Sequence, residues 1–259
     1  MAQQIAENSH LTEHQPSPFE LAQQRLIVAL DVPTADAALT LADQLQDQCQ
    51  WFKVGLELYI AAGPAIVETL VGRGHSVFLD LKLHDIPNTV AAAVRSAGSL
   101  GAELLTVHAA GGPAMLAAAQ EAASGIEDGP QLLAVTVLTS MDQAQLTAIG
   151  VSGAPQEQVI LLGKLGLEAG IRGFVCSPQE AAALRALTGV DGVLVTPGIR
   201  PAGADAGDQK RIATPTYALE QGASHLVVGR PITQAADPAL AAEAILLEIA
   251  EALAIAPTE

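Results

Sequence analysis

Eight short apolar runs, separated by longer Ala-rich stretches of helical period, constrain this 259-residue chain more than any other feature. The runs lie at 26–30, 51–54, 76–81, 104–107, 132–138, 173–176, 192–195 and 225–228. Several are almost unbroken Val, Leu and Ile, the pattern of parallel strands buried on both faces. Helix-start signals follow: Ser177-Pro178-Gln179-Glu180 offers a cap, a first-turn Pro and a Glu, and Thr214-Pro215 and Asp237-Pro238 repeat the cap-then-Pro pair. Strand and helix alternating eight times predict an α/β fold, a single-domain (β/α)8 TIM barrel, for which ~250 residues is an ordinary length. An open doubly wound sheet is the alternative. The barrel is expected to span 21–259. Residues 1–20, rich in Gln, Glu, His, Ser and Pro, are expected to be a disordered tail.

With 28 acidic against 12 basic residues, the formal net charge is −16. That balance disfavours nucleic acid and anionic membranes as partners. An anionic small molecule would require the few cations to gather at one place. Cys49 and Cys176 lack metal or disulfide-framework spacing, and Cys176 ends an apolar run, which suits a buried thiol. No apolar run reaches the ~18 residues of a membrane span, and the first residues do not resemble a secretion signal. A cytoplasmic protein is expected.

In a barrel the reactive groups belong at the C-terminal ends of the strands. Reading those ends yields Asp31, Lys53, the segment Asp80-Leu81-Lys82-Leu83-His84-Asp85, His108, Thr139-Ser140, Thr196-Pro197-Gly198 and Gly229-Arg230. Asp80 and Lys82, two apart, should share one side of their strand, with Leu81 and Leu83 turned toward the helices. Lys53, on the preceding strand, can reach the same mouth. Alternating Lys and Asp can offset each other's desolvation, and each alone is as consistent with a structural ion pair as with chemistry. Gly229-Arg230 after the last strand suits a phosphate, with Arg200 and Gln209 supplied by the long 196–212 loop, whose length suits a lid. His108 is read as a packing or hydrogen-bonding residue.

The stretch DLKLHDIPNT, Asp80 to Thr89, resembles the signature of the orotidine 5'-phosphate decarboxylase family in its bacterial form. LIVALDVP at Leu26, FKVGLELY at Phe52, TVHAAGG at Thr106, AVTVLTS at Ala134, VTPGIRP at Val195, GDQKRIATP at Gly207 and VVGRPIT at Val227 extend the likeness over nearly the whole barrel, in order. The resemblance implies decarboxylation of orotidine 5'-phosphate to uridine 5'-phosphate, the last step of pyrimidine nucleotide synthesis, without cofactor or metal. It implies a charged tetrad of Lys53, Asp80, Lys82 and Asp85, with Lys82 the proton donor to C6 of the pyrimidine. It implies a homodimer in which Asp85 and Thr89 serve the partner's site. Asp31 and Lys53 would contact ribose, Thr139 or its neighbour Ser140 the pyrimidine, and Arg200, Gln209, Gly229 and Arg230 the phosphate. The signature segment as a whole, including Leu81, Leu83, His84, Ile86, Pro87 and Asn88, is expected to border the substrate. A magnesium-dependent sugar-phosphate barrel would instead want an acidic residue where this chain has Lys53.

Overall fold

The computed structural model describes residues 16–201 and 213–255. Its eight strands are β1 (Leu26–Ala29), β2 (Trp51–Gly55), β3 (Ser76–Leu83), β4 (Leu104–His108), β5 (Gln131–Val135), β6 (Gly173–Val175), β7 (Val193–Thr196) and β8 (His225–Val228). All pair in parallel, each with its sequence neighbours, and β1 closes on β8. The chain is therefore a (β/α)8 barrel rather than an open sheet, and every expected apolar run holds a strand. The 132–138 run is strand only as far as Val135. No helix among the described residues is long and apolar enough to cross a membrane.

Burial follows strand parity. Ile27, Ala29, Phe78, Leu104, Leu133, Val195 and Val227 form a core inside the barrel, with Trp51, Val175 and Val193 packed on it. The alternate residues, such as Val28, Phe52, Leu79, Leu105 and Phe174, join the larger layer between strands and helices. A barrel filled this way is a packed body and not a pore, so a ligand has room only above the filling. Both cysteines are buried, and burial pushes the Cys49 thiol up to about 12.

Two helix starts use the expected side chains. Thr214 accepts the Tyr217 amide at 3.2 Å and Asp237 the Leu240 amide at 3.0 Å. Ser17 and Glu20 form a reciprocal capping box that opens the helix Pro18–Arg25. That helix corrects the expected tail, whose boundary at residue 20 falls inside it; Ala22 is fully buried against the barrel. Residues 1–15 lie outside the described residues. Ser177 departs from expectation too. Its hydroxyl donates to the buried Glu180 carboxylate and caps no amide.

The closed, N-terminal end of the barrel contains a histidine at the start of β8. The His225 ring meets Trp51 edge-on, 5.4 Å between centroids, and its Nδ1 is buried without a partner. Burial, and then the nearby Arg25 charge, push its pKa down to about 4. The folded state therefore holds a neutral imidazole that the unfolded chain protonates near 6.5. Stability is complete above pH 6.5 and falls as pH drops toward 4, by about 3 kcal/mol from this residue. Urea unfolding at pH 7.5 and 4.5 is expected to reveal the loss, and His225→Gln is expected to narrow the difference between the two.

Candidate active site

On four adjacent strands the inward-facing side chains change from apolar to polar toward the C-terminal end. Ile27 and Ala29 are followed by Asp31, Trp51 by Lys53, Phe78 by Asp80, and Leu104 by Thr106. These polar tips meet above the barrel filling. Lys53 Nζ lies 2.8 Å from Asp31 Oδ1 and 3.9 Å from Asp80 Oδ2, and Lys82 Nζ lies 2.7 Å from the same Asp80 oxygen. The result is a chain of alternating charge, Asp31–Lys53–Asp80–Lys82. The Lys53 and Asp80 side chains are only 10% and 13% exposed, so the ion pairs replace most of the water those charges lose.

Asp80 and Lys82 do share a side, but not by simple strand alternation. Lys82 adopts φ 51°, the left-handed region that only a few per cent of non-glycine residues enter. The β3–β4 pairing passes from Leu79↔Leu105 to Leu83↔Val107, four residues on β3 against two on β4. This bulge lifts Lys82 out of the ladder and aims it at the mouth. Leu81 and Leu83 pack against the helix-side layer, as the parity reading expected.

The charges open into a cavity of about 580 Å³, within the range of small-molecule sites. Its floor includes Ala29, Phe78, Val135, Val175 and Val227. Asp31, Lys53, Asp80, Lys82, Thr139, Ser140, Arg200, Gly229 and Arg230 all border it. Four cationic side chains against two carboxylates therefore face one cavity in a chain of net charge −16. Arg200 is 8% exposed and Arg230 opens to solvent.

Part of the expected set lies elsewhere. Leu81 and Leu83 turn away from the cavity, and His84, Ile86, Pro87 and Asn88 are exposed on the turn and first helical residues beyond β3. None of these six borders the cavity of the single chain. Asp85 and Thr89 are likewise exposed and outside it, and Asp85 Oδ1 accepts the Ile86 amide at 2.6 Å. Gln209 is outside the described residues, as is most of the 196–212 loop. His108 packs against His84, 5.4 Å between centroids, and burial, then His84 and Lys82, lower its pKa. Among the described residues no group of three or more His, Cys, Asp or Glu is placed to hold a metal ion.

Two contributors escaped the sequence reading. Thr106 lies between Asp80 and Lys82, and inward parity on β4 is the signal that would have found it. Gly55 is the other: a Cβ there would sit 2.7 Å from Lys53 Nζ and 3.2 Å from Asp31 Oδ1.

The orotidine 5'-phosphate decarboxylase / HUMPS family matches residues 24–245. The chain belongs to this family. It is 53% identical over 230 residues to the orotidine 5'-phosphate decarboxylase of Nitrosococcus oceani, covering 88% of this chain and 99% of the relative. It is 55% identical over 228 residues to that of Halorhodospira halophila, covering 88% and 97%. A crystal structure of orotidine 5'-phosphate decarboxylase from Lactobacillus acidophilus is similar with a TM-score of 0.77 and 40% identity, covering 87% of this chain and 99% of that one. The match thus spans every strand that carries the cavity residues.

Gly55→Ala is predicted to push the Lys53 ammonium off Asp31, lengthening their 2.8 Å contact in a crystal structure. The Gly55 backbone is extended, which Ala also adopts, so unfolding free energy should change by no more than about 1 kcal/mol.

Proposed function

We propose that this protein decarboxylates orotidine 5'-phosphate to uridine 5'-phosphate, with no cofactor, through the cavity described above. The observation that carries the reading is the Lys82 ammonium, 2.7 Å from Asp80, in the same cavity as Arg200, Gly229 and Arg230. A phosphate held at the β8 end by Arg230 and the Gly229 backbone extends the nucleotide across the floor toward Lys82. Asp31 and Lys53 are the polar groups for the ribose hydroxyls. Thr139 and Ser140 both border the cavity, and either can meet the pyrimidine.

The chemistry follows from charge. When the C6–carboxylate bond breaks, carbon dioxide leaves and the electron pair stays on C6, where no conjugated sink accepts it. A fixed ammonium beside C6 stabilises that charge without reorganising solvent. The Lys82 proton then moves to C6, and the neutral amine takes up one proton from solvent to restore the ammonium. Asp80 holds Lys82 in place and stands near the departing carboxylate, so both orientation and repulsion are available to it. The Lys53–Asp31 and Lys53–Asp80 contacts fill the β2 position with a cation, where a magnesium-dependent barrel would want a carboxylate.

We also propose a homodimer in which Asp85 and Thr89 complete the partner's charged tetrad and ribose contacts. Their exposure, together with that of Ile86 at 67%, suits a surface that a second copy covers. Closure of the 196–212 loop over the phosphate through Gln209 belongs to the same reading, as does a cytoplasmic location.

The deciding experiment follows the ultraviolet change when purified protein meets orotidine 5'-phosphate, with and without EDTA. Turnover unaffected by chelator is expected; absence of turnover refutes the assignment. Lys82→Ala should lower kcat about 1,000-fold or more with the fold intact. Arg230→Ala should lower kcat/KM about 10- to 100-fold by weakening phosphate binding. Wild-type kinetics in either variant would contradict the role given to that residue.

A further inference from the structure

Thr106 is fully buried on β4, and its hydroxyl makes two contacts that matter to the site. Oγ1 accepts the Lys82 backbone amide at 2.8 Å and donates to Asp80 Oδ1 at 3.0 Å. The directions are fixed by chemistry. An amide N–H can only donate and an ionised carboxylate only accept, so the single hydroxyl proton points at Asp80. Both bonds form where the β3–β4 ladder is interrupted, between the Leu79↔Leu105 and Leu83↔Val107 pairs. There the Lys82 amide finds the Thr106 side chain, which takes the place of a strand carbonyl.

This places one hydroxyl at two control points. It satisfies the backbone of a residue held at φ 51°, a conformation that persists only where its surroundings enforce it. It also occupies one oxygen of Asp80, which leaves Oδ2 facing Lys82 at 2.7 Å and Lys53 at 3.9 Å. Among the described residues, no other hydrogen bond is seen to tie β4 to both members of the pair.

We infer that Thr106 is a positioning residue of the active site, fixing the left-handed Lys82 backbone and the rotation of the Asp80 carboxylate. The inference rests on the proposed decarboxylation, in which the Lys82 ammonium must already be aimed at C6. A misaimed ammonium slows the chemical step but leaves phosphate and ribose contacts untouched.

The test compares Thr106→Val, which keeps the shape and removes the hydroxyl, with Thr106→Ser, which keeps the hydroxyl. Thr106→Val is expected to lower kcat about 10- to 100-fold, while KM and the Kd for uridine 5'-phosphate stay within about 3-fold. Thr106→Ser should recover kcat to within about 3-fold of wild type. Unchanged kcat in Thr106→Val would overturn the inference, as would Kd rising in step with the loss of kcat, or Thr106→Ser failing as badly as Thr106→Val. A crystal structure of Thr106→Val separates this inference from the functional reading. Should the wild type prove inactive on orotidine 5'-phosphate, departure of Lys82 from its left-handed conformation still supports the positioning role. An unchanged Lys82 backbone and Lys82–Asp80 contact overturn it.

Discussion

One carboxylate holds the site together. Asp80 receives the Lys82 ammonium and the Thr106 hydroxyl on separate oxygens, and Lys53 approaches the first of these. It therefore couples β2, β3 and β4 at the level where the barrel filling ends. Two ammonium groups this close to an apolar floor would repel each other and lose their hydration; the carboxylate offsets both losses at once. Asp31 does the same for the outer side of Lys53. Deleting one member leaves an uncompensated charge, so the four act as a unit.

That unit exists because strand parity continues past the hydrophobic layer. The residues that fill the barrel and those that face the cavity are the same alternating set, read further along each strand. This is why so much was legible beforehand. Nearly continuous apolar runs disclosed eight buried strands, and the polar residues within or just beyond their C-terminal ends disclosed Asp31, Lys53, Asp80 and Arg230. What parity does not encode is a break in itself. The left-handed Lys82 and the two-residue shift against β4 are products of tertiary contact, and no glycine marks the place. Thr106 passed unnoticed because a β-branched residue in a strand needs no explanation until its cross-strand partners are known. A contiguous motif on a strand alternates between faces, so Leu81 and Leu83 pack on the helix-side layer while Asp80 and Lys82 face the cavity.

The charge distribution follows the same division between layers. With a net charge of −16, the protein as a whole repels an anion, yet Lys53, Lys82, Arg200 and Arg230 face a single cavity. The attraction is local: in ~0.15 M salt, surface charges are screened beyond ~8 Å, whereas groups inside a recessed, partly dry cavity are screened far less. An acidic exterior and an anion-binding interior are thus compatible, and the exterior discourages larger polyanions from competing.

The conformation of Lys82 carries a free-energy penalty of about 1–3 kcal/mol, typical of a non-glycine residue held in a sparsely populated region. Glycine at this position would remove the penalty but also the ammonium. Simple alternation would remove it too, but would leave the Lys82 amide in the ladder and its side chain at a different height from Asp80. The structure keeps the strain and compensates it with the Thr106 hydroxyl and the Asp80 ion pair, both of which act on the folded state alone. In the proposed reaction, binding free energy from the substrate phosphate need not then be used to bend Lys82 into place. For the proposed mechanism, a charge that meets a transient carbanion is best fixed during folding, because no solvent or side-chain rearrangement is then required while the bond breaks.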